Sequence, residues 1–226
     1  QIRDVKVSAH VKCLATAQEL KEKSVAELDA LLEEAFSFDN FAWQRDEKIS
    51  IPDTTRAEGL SRILYQCCVC GAEGHMEGVG TTLTCHHCGK TWEMDTLGQL
   101  QPREGDTPFR HIPDWYAWQR REVRRELEEN TYRLDTDVEI GMLVDTKAIY
   151  MVGSGHLTHT PEGFTLTGCD GKLQYTQGPL ACYGLYADYY WYKLGDIICV
   201  GNKDILYYCF PKDSGDVVAK TRLAAE

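Results

Sequence analysis

No part of this chain is apolar for the roughly 18 consecutive residues that a bilayer-spanning helix requires, and its opening residues do not read as a signal peptide. Positive charge is scarce: 24 Lys and Arg stand against 35 Asp and Glu, a formal net charge of −11. A chain so charged repels nucleic-acid phosphates unless a local basic face compensates, so nucleic acid is disfavoured as a partner. There is no Gly-x-Ser-x-Gly elbow, no phosphate-binding loop, and no Ser or Cys with a locally supported base. A catalytic centre is therefore not expected. Internal repeats and low-complexity stretches are also absent. The balance of 43% hydrophobic and 26% charged residues is that of a folded globular protein rather than a disordered one.

Cysteine, by contrast, is plentiful, with ten in the chain. Four of them, Cys67, Cys70, Cys85 and Cys88, form two C-x-x-C-G knuckles separated by fourteen residues. Each knuckle aims two thiolates at one point, and its glycine permits the positive φ that the tight turn needs. Four thiolates make a closed tetrahedral site, so the expected cofactor is one structural Zn2+ ion. Iron, in a redox site, calls for more widely separated knuckles. A catalytic zinc needs an open coordination position, which four thiolates do not leave. His86 and His87 are read as solvent-facing, and Cys68, in mid-knuckle, as a packing residue. Cys13, Cys169, Cys182, Cys199 and Cys209 are scattered in strand-like settings, as in a reducing compartment, which favours a cytoplasmic location.

Along the chain, residues 4–14 alternate as a strand, and Ser24-x-x-Glu27 is a capping box opening an amphipathic helix over 25–36. One strand and one helix cannot bury their apolar faces alone, so 1–43 reads as the end of a larger, truncated domain. Residues 44–61 read as a linker, 62–100 as the ribbon, and 101–136 as a helical connector with Pro113 in its first turn. Trp115, Tyr116, Val123 and Leu127 mark the buried side of that helix. From 137 to 226 the pattern is β: runs at 138–144, 147–152, 156–160, 163–168, 172–176, 188–194, 197–201 and 204–210, then a helix over 216–226. Gly153-Ser154-Gly155 is read as a hairpin turn. The expected fold class is α+β: a strand-helix remnant, a small zinc ribbon, and a mostly antiparallel β-barrel or sheet closed by a C-terminal helix.

Arg120, Arg121, Arg124 and Arg125 form a basic patch near Trp115 and Trp118, suited to an anionic surface such as a membrane face. Glu122, Glu126, Glu128 and Glu129 interleave, which also fits a solvated helix face with local pairs. Tyr183, Tyr186, Tyr189, Tyr190, Trp191 and Tyr192 are dense enough for a ligand platform, but alternation assigns about half of such a run to the core. His156 and His159, an odd number apart, fall on opposite strand faces and do not share a metal.

The segments SVAELDALLEEAFSFDNFAWQ, RAEGLSRILYQCCVCG, LTCHHCGKTWEMDTLG and HIPDWYAWQRREVRRE, with the tail from VEIGMLVDTKAIYMVGSGHLTHTPEGFTLTGCDGKL through DILYYCFPKDSGDVVAKTRLA, resemble the C-terminal extension of the bacterial 1-acylglycerol-3-phosphate acyltransferase-like proteins. The resemblance spans essentially the whole chain. It implies an upstream acyltransferase domain in the same polypeptide, which transfers an acyl group to a glycerophosphate hydroxyl in phospholipid biosynthesis. That family's hallmark is His-x4-Asp, whose histidine acts as base. None of the seven histidines here has Asp at the fifth following position, so no catalytic residue carries over. The order of strands and terminal helix is similar to a pleckstrin-homology or GRAM-like domain. The resemblance implies an accessory or regulatory region at the cytoplasmic face of the membrane. A zinc-ribbon module binding nucleic acid or protein is the alternative, and the sequence leaves oligomeric state open.

Overall fold

The computed structural model describes residues 9, 11–144, 147–181, 184–212 and 217–226. Three short helices come first: α1 (Ala17–Glu22), α2 (Val25–Phe36) and α3 (Asn40–Asp46). The Ser24–Glu27 capping box forms as expected, with the Ser24 hydroxyl accepting from the Glu27 N–H and the Glu27 carboxylate accepting from the Ser24 N–H. Yet α2 buries none of its residues, leaving Val25, Leu32 and Phe36 exposed. The strand expected over 4–14 falls largely on residues outside those described, and Ala9 and Val11–Leu14 belong to no strand. Helix α3 is tied down more firmly. One oxygen of Asp39 caps it at Ala42 and the other bonds His111 Nε2 at 2.6 Å.

A four-stranded antiparallel sheet follows, in chain order: β1 (Met76–Val79), β2 (Thr82–Cys85), β3 (Thr91–Met94) and β4 (Leu100–Pro102). Leu83, Cys85, Trp92, Met94 and Leu100 point to its core side, the period-two pattern of a sheet with one face covered. Residues 51–64, within the stretch read as a linker and the start of the ribbon, run along this sheet. Ala57 is fully buried, its N–H donates to Gly80 O, and Arg56 donates to Met94 O at 2.6 Å.

Helix α4 (Ile112–Glu128) carries Pro113 in its first turn, where the missing N–H costs nothing. Ile112, Trp115, Gln119 and Val123 recur at intervals of three and four and form its buried stripe. The stripe joins two cores. Trp115 meets Trp92 edge to face at 5.0 Å in the ribbon, while Val123 lies in the core of the second sheet.

That second sheet has seven antiparallel strands: β5 (Leu134–Val144), β6 (Ala148–Thr160), β7 (Gly163–Gly168), β8 (Leu173–Gln177), β9 (Tyr186–Trp191), β10 (Gly195–Gly201) and β11 (Leu206–Pro211). Their order is β8-β7-β6-β5-β11-β10-β9, so the first strand of the unit lies beside the last. Helix α5 (Val217–Ala224) packs on β9, β10 and α4, burying Val218, Ala219, Thr221 and Leu223. Of the two expected forms, barrel or sheet, the unit is an open sheet: β8 and β9 are its edges and no ladder joins them among the described residues. The ends nevertheless curl together, since Gly201 N donates to the Gln177 side chain at 3.0 Å and Tyr175 meets Tyr207 at 5.4 Å.

Gly153-Ser154-Gly155 is not a turn. The runs expected at 147–152 and 156–160 are one strand, β6, paired along its length with β5. Gly153 sits at the bulge where the register shifts between Ile140 and Gly141, and its φ of +142° is one that side-chain-bearing residues rarely adopt. Gly155 and Gly168 face each other across β6 and β7 so closely that neither has room for a Cβ.

Candidate metal centre

The first knuckle leads into β1; the second links β2 to β3. They close identically. Gly71 N donates to Cys67 O and Gly89 N to Cys85 O, both at 2.8 Å, while Cys67 N donates to Ala72 O and Cys85 N to Lys90 O. Gly71 and Gly89 take φ of +74° and +75°, the left-handed conformation that favours glycine.

This repetition brings the four predicted cysteines together. Cys67 Sγ lies 3.9 Å from Cys88 Sγ and Cys70 Sγ lies 3.8 Å from Cys85 Sγ; all four sulfurs fall within 4.8 Å of one another. A tetrahedral ion with metal–sulfur bonds of about 2.3 Å needs sulfur–sulfur edges of about 3.8 Å. The cage fits a metal ion. Cys67 and Cys85 are fully buried, whereas Cys70 and Cys88 reach the surface.

Backbone N–H groups converge on three of the four sulfurs, against the cost of burying them. Burial pushes the Cys67 thiol up, opposed by the N–H groups of Cys70 and Val69. Burial likewise raises Cys85, opposed by the N–H groups of Cys88 and His87. At Cys88 burial is outweighed by the Lys90 N–H and the neighbouring sulfurs, which hold the thiol below its ordinary range. Backbone N–H groups aimed at sulfur are the donors a coordinated thiolate uses, and a cation reverses the cost of burying it.

His86 and His87 are exposed, as expected: His86 Nε2 bonds Glu77 at 2.8 Å and the His87 ring lies beside His75. Cys68 turns away toward Thr107 Oγ1, 4.0 Å off, and packs in the ribbon core. Sequence reasoning missed three residues that tie the first knuckle to the rest of the fold. Gln119 is fully buried; its amide donates to Ile63 O at 2.9 Å and its carbonyl accepts from Gln66 N at 3.1 Å. Lys220 on α5 reaches Glu73 at 2.8 Å and Glu126 at 2.9 Å. The stripe arithmetic of α4 contains Gln119; nothing local marks the Glu73–Lys220 pair.

The arginine patch divides. Arg120 pairs with Glu226 at 2.7 Å and lies over the Tyr116 ring, and Arg125 pairs with Glu122 at 2.7 Å. Arg121 and Arg124 point outward and form no ion pair among the described residues. In the aromatic run, Tyr189 packs on the core while Tyr186, Tyr190 and Tyr192 are exposed; Tyr183 lies outside the described residues. His156 and His159 fall on opposite faces, His156 between Asp135 and Asp137 and His159 inward beside Tyr132. No described helix is long and apolar enough to cross a membrane. No protein-family model matches the chain, nor does any curated protein or solved structure.

Proposed function

We propose that this chain is a non-catalytic accessory region of a glycerolipid acyltransferase, held together by one structural zinc ion. The observation that carries the zinc is the sulfur quartet, whose 3.8 and 3.9 Å edges match a tetrathiolate site. Zinc bound by Cys67, Cys70, Cys85 and Cys88 would supply no reactive position, only a fixed junction between the two knuckles. Its task would be to position or regulate an acyltransferase domain of the same polypeptide at the cytoplasmic membrane face.

Three features support that role. The resembling segments cover the ribbon, α4 and the seven-stranded unit. Seven strands followed by a packed helix agree with the pleckstrin-homology or GRAM-like likeness. Met151 on β6 and Tyr192 and Leu194 in the β9–β10 turn are exposed around a groove of about 410 Å3 that Lys147 also lines, which suits docking better than catalysis. Arg121 and Arg124 add outward charge for an anionic lipid surface.

Elemental analysis of the purified protein tests the metal: one zinc per chain is expected, and iron or no bound metal overturns it. Incubation with an acyl-thioester donor and lysophosphatidic acid tests the rest, because turnover by this chain alone contradicts an accessory role.

A further inference from the structure

The two knuckles are alike in geometry but not in what they hold. The second faces solvent through His86, His87, Cys88 and Gly89. The first is anchored on both sides. Its closing pair is a one-bridge ladder, Gln66 against Glu73, extended by Gly74 N donating to Tyr65 O. Cys67, Cys70 and that ladder form a single small loop, so whatever fixes the two sulfurs also fixes Tyr65, Gln66 and Glu73.

Each of those three residues reaches out of the ribbon. Tyr65 is buried in the core of the seven-stranded sheet, with Val123 of α4 and Val218, Ala219 and Leu223 of α5. Gln66 accepts from Trp115 Nε1 at 2.9 Å and donates to Gln119. Glu73 takes the ammonium of Lys220, which also meets Glu126, so ribbon, α4 and α5 share one ion-pair junction. The loop that supplies half of the metal ligands therefore also supplies the seat of the terminal helix.

We propose that metal occupancy at the four cysteines and docking of α5 are energetically coupled through the Tyr65–Glu73 ladder, with the Glu73–Lys220 pair as the latch. The inference rests on the metal reading above and goes beyond a local staple. Filling the site orders the ladder and tightens α5; emptying it frees Glu73 and loosens α5 while the far hairpin keeps its own ladder. Coupling is reciprocal, so weakening the latch must weaken metal binding.

The test combines amide hydrogen exchange with metal titration against a chromophoric chelator, on the full chain. Stripping the metal is expected to speed exchange in α5 (217–224) at least about tenfold while β6–β7 (157–166) stays protected. Glu73→Gln is expected to keep one metal per chain at saturation, to loosen α5 and to weaken metal affinity about tenfold. Lys220→Met separates the latch from simple charge attraction. Removing a nearby positive charge should strengthen cation binding if only through-space electrostatics act, whereas the latch requires Lys220→Met to weaken it. Failure to bind any metal overturns both this inference and the metal reading. Normal metal binding with α5 exchange unchanged on stripping, or with tighter binding in Lys220→Met, overturns the coupling alone. Should stripping unfold the whole chain, the two latch variants, studied with metal bound, decide the matter.

Discussion

The imidazole of His159 lies flat on the ring of Phe164, with centroids 3.8 Å apart and planes within 5°, and its Nδ1 is 3.0 Å from the Tyr132 hydroxyl. Burial pushes the His159 pKa down from 6.5 to about 4. The native state thus refuses a proton that the unfolded chain accepts between these pH values. Unfolding then takes up a proton, and stability falls as pH drops from 6.5 toward 4, by at most about 3 kcal/mol. His159→Phe removes the titration and keeps a ring on Phe164. Urea midpoints followed from pH 7 to 4.5 should fall more steeply for the parent protein than for His159→Phe; equal slopes would sink the assignment.

Gln119 fills both its hydrogen-bonding roles inside the ribbon–α4 joint. Gln119→Leu nearly preserves volume but strands the buried Gln66 N–H and takes a donor from the carbonyl of Ile63, a residue water reaches. At about 1–3 kcal/mol for the one group left buried without a partner, a loss of roughly 1–3 kcal/mol is expected in chemical denaturation. A loss below about 0.5 kcal/mol would mean that the Gln66 N–H finds another partner.

What could be read from the sequence follows from how local each signal is. The C-x-x-C-G knuckles, the Ser24 capping box and most β runs of the second sheet are set within a few residues, and they stand close to where expected, apart from the two runs that merge into β6. Helix α4 was legible for the same reason, although the polar Gln119 hid within its apolar stripe. Pairings between distant segments were not legible. Tyr65 belongs to the ribbon by sequence and to the other sheet by packing, and Glu73 meets Lys220 across 147 positions. The glycines of β6 misled because a Gly-Ser-Gly run is chemically a turn. Only the partner strands reveal that close backbone approach requires it.

That close approach gives its own prediction. A Cβ on Gly155 would sit 2.3 Å from Thr167 O and 2.5 Å from Ile140 Cδ1, inside the sheet where backbone cannot yield. Gly155→Ala should cost at least about 2 kcal/mol. Gly178, with open space around the same position, serves as the comparison: Gly178→Ala should change stability by no more than about 0.5 kcal/mol. Matching denaturation curves for the two variants would contradict the register at which β6 meets β7.

The last prediction separates ligands from bystanders among neighbouring cysteines. Cys68 and Cys70 are two residues apart, but Cys70 faces the sulfur quartet while Cys68 is turned to Thr107. Burial holds the Cys68 thiol up at about 11, so at neutral pH it is a protonated packing group and not a nucleophile. Cys68→Ser should therefore retain one metal per chain and its resistance to chelators. Cys70→Ser breaks the closed tetrahedron, and because metal-binding energy is folding energy in such small ribbons, it should lose bound metal and lower the unfolding midpoint together. Elemental analysis paired with thermal unfolding, each before and after chelation, reads both effects. Metal retained in Cys70→Ser and lost in Cys68→Ser would exchange the two roles and undo the cage as drawn.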